Sequence, residues 1–169
     1  AGRQRLGVKD KLAGKLFVSS GLGGMSGAQG KAVTIAGAVG IIAEVDRSRI
    51  DTRHGQGWID AVSADAAEVF RLAQKALAKQ EPLAIAYHGN IITLLQYAVD
   101  HQVPIDLLSD QTSCHAVYEG GYCPHSMTFE ERTAALEVDK VSFKQQVDAS
   151  LQLHFQLIET LTKRGTYFF

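Results

Sequence analysis

Apolar positions along this chain fall into short blocks set between longer stretches of helical spacing. Leu16-Phe17-Val18, residues 40–45 (GIIAEV), residues 83–87 (LAIAY) and residues 105–108 (IDLL) are short and nearly continuous in apolar character. That is the form taken by strands buried on both faces of a parallel sheet. Between them, residues 26–39 are rich in Ala and Gly, and residues 65–79 and 91–101 carry apolar side chains at helical spacing. Crossover helices are predicted over all three. The alternation predicts an α/β fold with a doubly wound, mostly parallel sheet flanked by helices.

The last third changes character. A Gly- and Pro-bearing loop is expected over residues 115–126, followed by helices. Thr128 with Glu131 three residues on has the form of a capping box. A long helix is predicted over residues 143–163, with Leu151, His154, Ile158 and Leu161 along one face. No internal repeat interrupts the pattern, and 169 residues close one sizeable core, so residues 1–169 are expected to form a single domain.

Composition narrows the function classes. With 46% hydrophobic and 21% charged residues the chain has the profile of a globular protein. A formal charge of −1 offers no long-range attraction to nucleic acid or anionic membranes, so neither is expected as a partner. No apolar run approaches the roughly 20 residues that span a bilayer. The basic N-terminus lacks the apolar centre of a secretory signal, so a soluble cytoplasmic protein is expected. Cys114 and Cys123 have neither disulfide-framework nor zinc spacing. The chain opens on Ala1 rather than Met and ends on Tyr167-Phe168-Phe169, from which a piece of a longer protein is expected.

The sharpest local signal is Ser20-Gly21-Leu22-Gly23-Gly24-Met25-Ser26-Gly27-Ala28-Gln29, between the first strand and the first crossover helix. A dinucleotide site needs one glycine for a tight turn, a second so that backbone can approach a diphosphate, and a small residue where helix meets strand. Gly21, Gly23 and Gly27 fit those roles, in the spacing G-x-G-x-x-x-G rather than the commoner G-x-G-x-x-G. The pattern also expects an acidic side chain about 20 residues on, accepting hydrogen bonds from a ribose hydroxyl. Glu44 stands 20 positions beyond Gly24. A carboxylate there repels the extra phosphate of NADP and favours NAD, although the nearby Arg49 has the chemistry to hold a phosphate. The expected fold is thus a Rossmann-like doubly wound parallel sheet.

Ligands of such sheets sit beyond the carboxyl ends of the strands. Two more polar clusters fall there, His88-Gly89-Asn90 and Ser109-Asp110-Gln111-Thr112-Ser113-Cys114-His115. Asn90 is equally readable as the N-cap of the helix starting at Ile91, and Thr112 and Ser113 as turn caps. His88 and His115 lack a paired ligand motif, so no metal is expected. Cys114 and His115 resemble a nucleophile and base in type only, since neighbours on an extended chain face opposite ways. No catalytic residue is assigned.

With these residues in view, the chain resembles the urocanases. The stretches that carry the resemblance are FVSSGLGGMSGAQGKA (residues 17–32), AYHGN (86–90), DQTSCH (110–115), GGYCP (120–124) and the ending GTYFF. Together they run across nearly the whole chain. The resemblance implies the NAD-binding domain of a urocanate hydratase, a hydro-lyase of histidine degradation. That enzyme adds water to urocanate to give 4-imidazolone-5-propanoate, with NAD as electrophile rather than hydride carrier. Cofactor contacts carried over by position fall on Gly24, Met25, Ser26, Glu44, Arg49, Asn90, Ile91, Gln111, Thr112, Ser113, Cys114, His115, Tyr122 and Cys123, joining Gly21, Gly23 and Gly27 of the turn. Departures from the family pattern stand at Ser26, Gly30 and Ala116-Val117.

The resemblance further implies a longer, homodimeric parent enzyme, whose remaining core segments supply urocanate contacts and a functional cysteine that neither Cys114 nor Cys123 matches. The 169-residue chain is therefore expected to bind NAD without hydratase activity. Two other readings stay open: a free-standing NAD-dependent oxidoreductase or nucleotide-sensing domain, and a non-catalytic interaction module using the aromatic C-terminus.

Overall fold

The structure, a computed structural model, describes residues 2–112 and 114–169, and the side chains of Cys114 and His115 are outside the description. In chain order the elements are α1 (Gly2–Arg5), β1 (Leu16–Ser20), a 3-10 turn (Ser26–Ala28), α2 (Gln29–Ile35), β2 (Val39–Glu44), α3 (Arg47–Gly55), β3 (Ala61–Ser63), α4 (Ala66–Lys79), β4 (Leu83–His88), α5 (Ile91–Asp100), β5 (Leu107–Leu108), a 3-10 stretch (Cys114–Glu119), α6 (Phe129–Val138), α7 (Lys140–Lys163) and β6 (Tyr167–Phe168). Six strands pair in the order β3-β4-β2-β1-β5-β6. Every pairing is parallel. This is the Rossmann-like, doubly wound class expected from the sequence.

Strand β2 shows why the apolar runs read as they did. All six of its residues are buried, because helices cover both faces of the sheet. Val39, Ile41 and Ala43 share one core with Val69, Phe70 and Ala73 of α4, Leu94 and Leu95 of α5, and Leu157 and Leu161 of α7. On the opposite face Ile42 packs with Leu22, Ile50 of α3 and Ile59. Burying each large aliphatic or aromatic side chain contributes roughly 1.5–3 kcal/mol, so this two-sided core holds the strand ends in register. Alternation along β2 then turns Glu44 to the same face as Ile42, toward α3 and the loop after β1.

The differences from expectation have local causes. The helix predicted over residues 26–39 is a 3-10 turn plus a seven-residue helix. It ends in a Schellman motif at Gly37 (φ 77°), where Gly37 N donates to Thr34 O and Ala38 N to Val33 O. Helix α3 escaped the pattern because Ile50 is its one buried residue; Asp46 starts it by accepting from Ser48 N. Strands β3 and β6 have three and two residues, too few to show a period. The C-terminal aromatics join the sheet, with Tyr167 opposite Leu107 and Phe169 stacked 6.2 Å from Phe17. Residues 114 and 115 open a 3-10 stretch, which corrects the extended backbone assumed for them. The capping box is present at Thr128 and Glu131, and α7 begins at Lys140, with Asp139 accepting from Val141 N and Ser142 N. Among the described residues no helix is long and apolar enough to cross a membrane.

Candidate functional site

Strands β2 and β5 lie on either side of β1, and the chain leaves β1 and β5 in opposite directions across the sheet. The crevice beyond their carboxyl ends is the topological switch point, where ligands of open α/β sheets bind. A cleft of about 680 Å³ opens there, within the range of small-molecule and cofactor sites. Its walls bring together Gly21, Gly23, Gly24, Met25, Ser26, Glu44, Arg49, Asn90, Ile91, Gln111, Thr112, Tyr122 and Cys123, thirteen of the seventeen residues singled out in the sequence. Gly27 is not among the lining residues, Ser113 lies outside the described residues, and so do the side chains of Cys114 and His115.

The glycine loop is one wall. Gly21 turns the chain at φ 87°, a conformation L side chains rarely adopt, and its position leaves only 3.0 Å between an added Cβ and Gln111 O. Its N–H donates to Ala43 O (2.8 Å). Gln29 Nε2 donates to both Ser20 O (3.0 Å) and Gly21 O (2.9 Å). Beyond it, the N–H groups of Gly23, Gly24 and Met25 donate to no acceptor among the described residues. Exposed backbone donors at the entrance to a helix are a ready seat for an anion.

Glu44 holds that loop from below. Its side chain is 4% exposed, and its carboxylate accepts from Leu22 N (2.8 Å) through Oε2 and from Asp46 N (3.0 Å) through Oε1. Each oxygen keeps accepting capacity beyond these bonds. Arg49 reaches Glu44 at 3.8 Å and Asp46 at 3.2 Å, and lies beside Gly23. Burial alone would raise the Asp46 carboxyl, but hydrogen bonds from Ser48 and the Arg49 charge hold it below the usual carboxylate range.

Strand β5 leads into the floor. Asp110 accepts from the Ser20 hydroxyl, from Thr112 N (2.9 Å) and from the Thr112 hydroxyl (2.5 Å). Behind it, buried His154 of α7 places Nδ1 3.8 Å from Asp110 Oδ2. Burial lowers the imidazole pKa, against the pull of the Asp110 charge.

The opposite wall comes from residues 120–132. Tyr122 is 2% exposed and packs with Phe143 and Val147 of α7, which pins this loop to the body of the domain. Asn90 links the walls: its Oδ1 caps Ile92 N (3.0 Å) and its Nδ2 donates to Cys123 O (2.8 Å). Both readings of Asn90, cap and cleft residue, are thus compatible. Burial pushes the Cys123 thiol up to about 11, so it is protonated at neutral pH and unsuited to nucleophilic attack.

Sequence reasoning missed several lining residues: Thr52, Arg53, Phe129 and Arg132; Ser20 and Asp110 fell within the clusters it named but were not assigned as contacts. Arg53 donates through Nε to Leu22 O (3.1 Å) and through Nη2 to Gly23 O (2.7 Å). Gly27 makes this possible, since a Cβ there would overlap the guanidinium. That corrects the helix-on-strand role expected of Gly27, a role taken by Gly40, whose Cβ would come within 2.8 Å of Val33. Arg132 donates to Gly120 O (2.7 Å) and lies over the Phe129 ring at 4.4 Å. No periodicity announces either arginine; the one available signal was Arg53 four residues beyond Arg49, on the same face if the segment is helical.

Comparison with known proteins now bears on this geometry. The model of the urocanase Rossmann-like domain matches residues 1–169. The urocanate hydratase of Mus musculus is 41% identical over 173 residues, and a probable urocanate hydratase of Dictyostelium discoideum is 45% identical over 170. The urocanate hydratase of Homo sapiens is 41% identical over 174 residues. Each alignment takes in 99% of this chain, which spans about a quarter (25%) of the length of these relatives. The switch-point cleft, its glycine loop and the matches over the full chain agree: this chain belongs to the urocanase family, as its Rossmann-like domain.

Proposed function

We propose that this chain is the NAD-binding domain of a urocanate hydratase, which adds water to urocanate to give 4-imidazolone-5-propanoate in histidine breakdown. The observation that carries the reading is the row of N–H groups on Gly23, Gly24 and Met25, which have no acceptor among the described residues and belong to residues that line the switch-point cleft. A diphosphate satisfies such donors, and Arg49 beside Gly23 adds positive charge. Glu44 has lone pairs left for ribose hydroxyls, and that carboxylate favours NAD over NADP.

The other groups toward the cofactor are Ser26, Ile91, Gln111, Thr112 and Tyr122, with Asn90 and Cys123 as the tie between the walls. Ser113, Cys114 and His115 join them by family resemblance. When bound, NAD supplies an electrophile that draws electron density from the urocanate imidazole. This chain's own residues orient the cofactor and neutralise its diphosphate. No step of proton transfer is assigned to them, consistent with a Cys123 held as a neutral thiol. Urocanate contacts, the remaining core and a homodimeric parent belong to this reading, as does residence in the cytoplasm.

The test is direct. Mass spectrometry of the supernatant from the denatured 169-residue chain is expected to find NAD near one per chain, or calorimetry to find NAD binding to the stripped chain. A chain that neither carries nor takes up NAD contradicts the reading. Incubated with urocanate and NAD, the same chain is expected to leave urocanate absorbance unchanged; turnover would overturn its assignment as a cofactor-binding part.

A further inference from the structure

A loop that offers N–H groups to an anion has to point its carbonyls elsewhere, and in this chain one side chain takes them. Arg53 Nε donates to Leu22 O (3.1 Å) and Arg53 Nη2 to Gly23 O (2.7 Å). In a trans peptide the carbonyl of one residue and the N–H of the next point in opposite directions, and the described residues contain no cis bond. Fixing Leu22 O therefore turns the Gly23 N–H away from Arg53, and fixing Gly23 O does the same for the Gly24 N–H. Those are two of the three loop amides without an acceptor among the described residues.

The guanidinium is itself held in place. Its third nitrogen, Nη1, donates to Gln56 Oε1 (2.9 Å), and the group lies over the Trp58 ring at 5.2 Å. Gly27, buried and lacking a Cβ, leaves the space it occupies. A planar fork with two parallel donors matches two successive carbonyls, which a lysine ammonium, with its point charge, does not reproduce. Hydrogen bonds from a charged donor also polarise the peptides they bind, making the N–H at the other end of each a better donor.

We infer that Arg53 is a positioning residue for the diphosphate of a dinucleotide: it acts through the backbone, presenting the Gly23 and Gly24 amides to the ligand, with Gly27 as its seat. This rests on the NAD reading of the cleft. It differs from a direct ion pair between Arg53 and phosphate, and from a general contribution to folding.

The experiment compares ADP with adenosine, which share all but the diphosphate, by calorimetry on the 169-residue chain and on Arg53→Lys, Arg53→Gln and Gly27→Ala. All three variants are expected to weaken ADP on the order of tenfold or more, the loss that goes with about 1.4 kcal/mol, while adenosine changes by less than about twofold. Gly27→Ala keeps the charge and removes only its seat. Retention of ADP affinity by Arg53→Lys would mean that charge alone matters and would overturn the inference. So would a parallel loss of adenosine and ADP. Should the variants fail to fold, the unaltered chain decides: a scalar coupling across the hydrogen bond from Arg53 Nε to the Leu22 carbonyl carbon is expected by NMR, and its absence overturns the grip. An unaltered chain that shows this coupling but binds neither ADP nor NAD sinks the NAD reading and this inference with it; binding without the coupling sinks the inference alone.

Discussion

On one side of the cleft the backbone from Ser20 to Gly23 is bonded residue by residue to polar side chains from elsewhere in the fold. Gln29 takes the carbonyls of Ser20 and Gly21, Glu44 the amide of Leu22, and Arg53 the carbonyls of Leu22 and Gly23. On the other side, the loop from residue 120 to residue 124 is held chiefly by one buried ring, Tyr122, wedged against Phe143 and Val147. Polar ties add to it: Asn90 Nδ2 donates to Cys123 O, Arg132 to Gly120 O, and Gly121 N to Ala116 O. The first wall is specified in direction, as a surface that presents backbone donors must be. The second is specified in position, as a wall that closes a volume must be. Directional bonds of about 1 kcal/mol net each can aim peptides, whereas apolar burial anchors a segment without aiming it.

This contrast can be broken from either side. The largest effect is expected from Tyr122→Ala, which empties the wedge: chemical denaturation should register a loss of about 3–5 kcal/mol, with the glycine loop keeping its geometry. Glu44→Gln is expected to be milder in stability and more damaging to the ligand seat. An amide turns a donor toward Leu22 N or Asp46 N, and the cost is about 1–3 kcal/mol, with NAD affinity falling alongside. If NAD binding by calorimetry were unaffected, the loop would not depend on its buried carboxylate.

Asn90→Ala removes a helix cap and the tie between the walls together. About 1 kcal/mol of stability should go with the cap, and hydrogen exchange should rise at residues 120–123 but not at residues 21–24. The smallest effect concerns His154. Burial lowers its pKa in the folded chain below the ordinary 6.5, opposed by the neighbouring Asp110 charge. The unfolded chain therefore takes up the proton first. The stability tied to the neutral imidazole is complete above about pH 6.5 and declines as pH falls from there toward the lowered folded value. Denaturation midpoints measured from pH 8 to pH 5 should show a shallower decline in His154→Gln than in the unaltered chain; equal slopes would remove His154 from the account.

The same contrast explains what could be read from the sequence. Strands β1, β2 and β4 show as apolar runs because both faces are covered, and the polar residues at the carboxyl ends of β2, β4 and β5 follow directly, so Glu44, Asn90 and Gln111 could be placed at one crevice. The glycines of the loop were legible because a positive φ at Gly21 leaves few alternatives. Arg53 was not, since it bonds to backbone carbonyls 30 and 31 residues earlier, and carbonyls carry no residue type. Its helix was hidden as well, with a single buried residue, Ile50. Glu44 ends β2 as expected, but its partners were not foreseen: the carboxylate expected to face a ribose holds two backbone amides. Strand β6 escaped because two residues become a strand only by pairing with Leu107 and Leu108, about sixty residues away in sequence.

The most direct measurement is an NMR titration of the 169-residue chain with NAD, following the backbone amides of Gly23, Gly24 and Met25 against those of residues 120–123. The account predicts that the three glycine-loop amides move first and farthest downfield, as hydrogen bonds form to the diphosphate, and that ADP reproduces the shifts while adenosine does not. Saturable NAD binding that leaves Gly23 and Gly24 unmoved would contradict it.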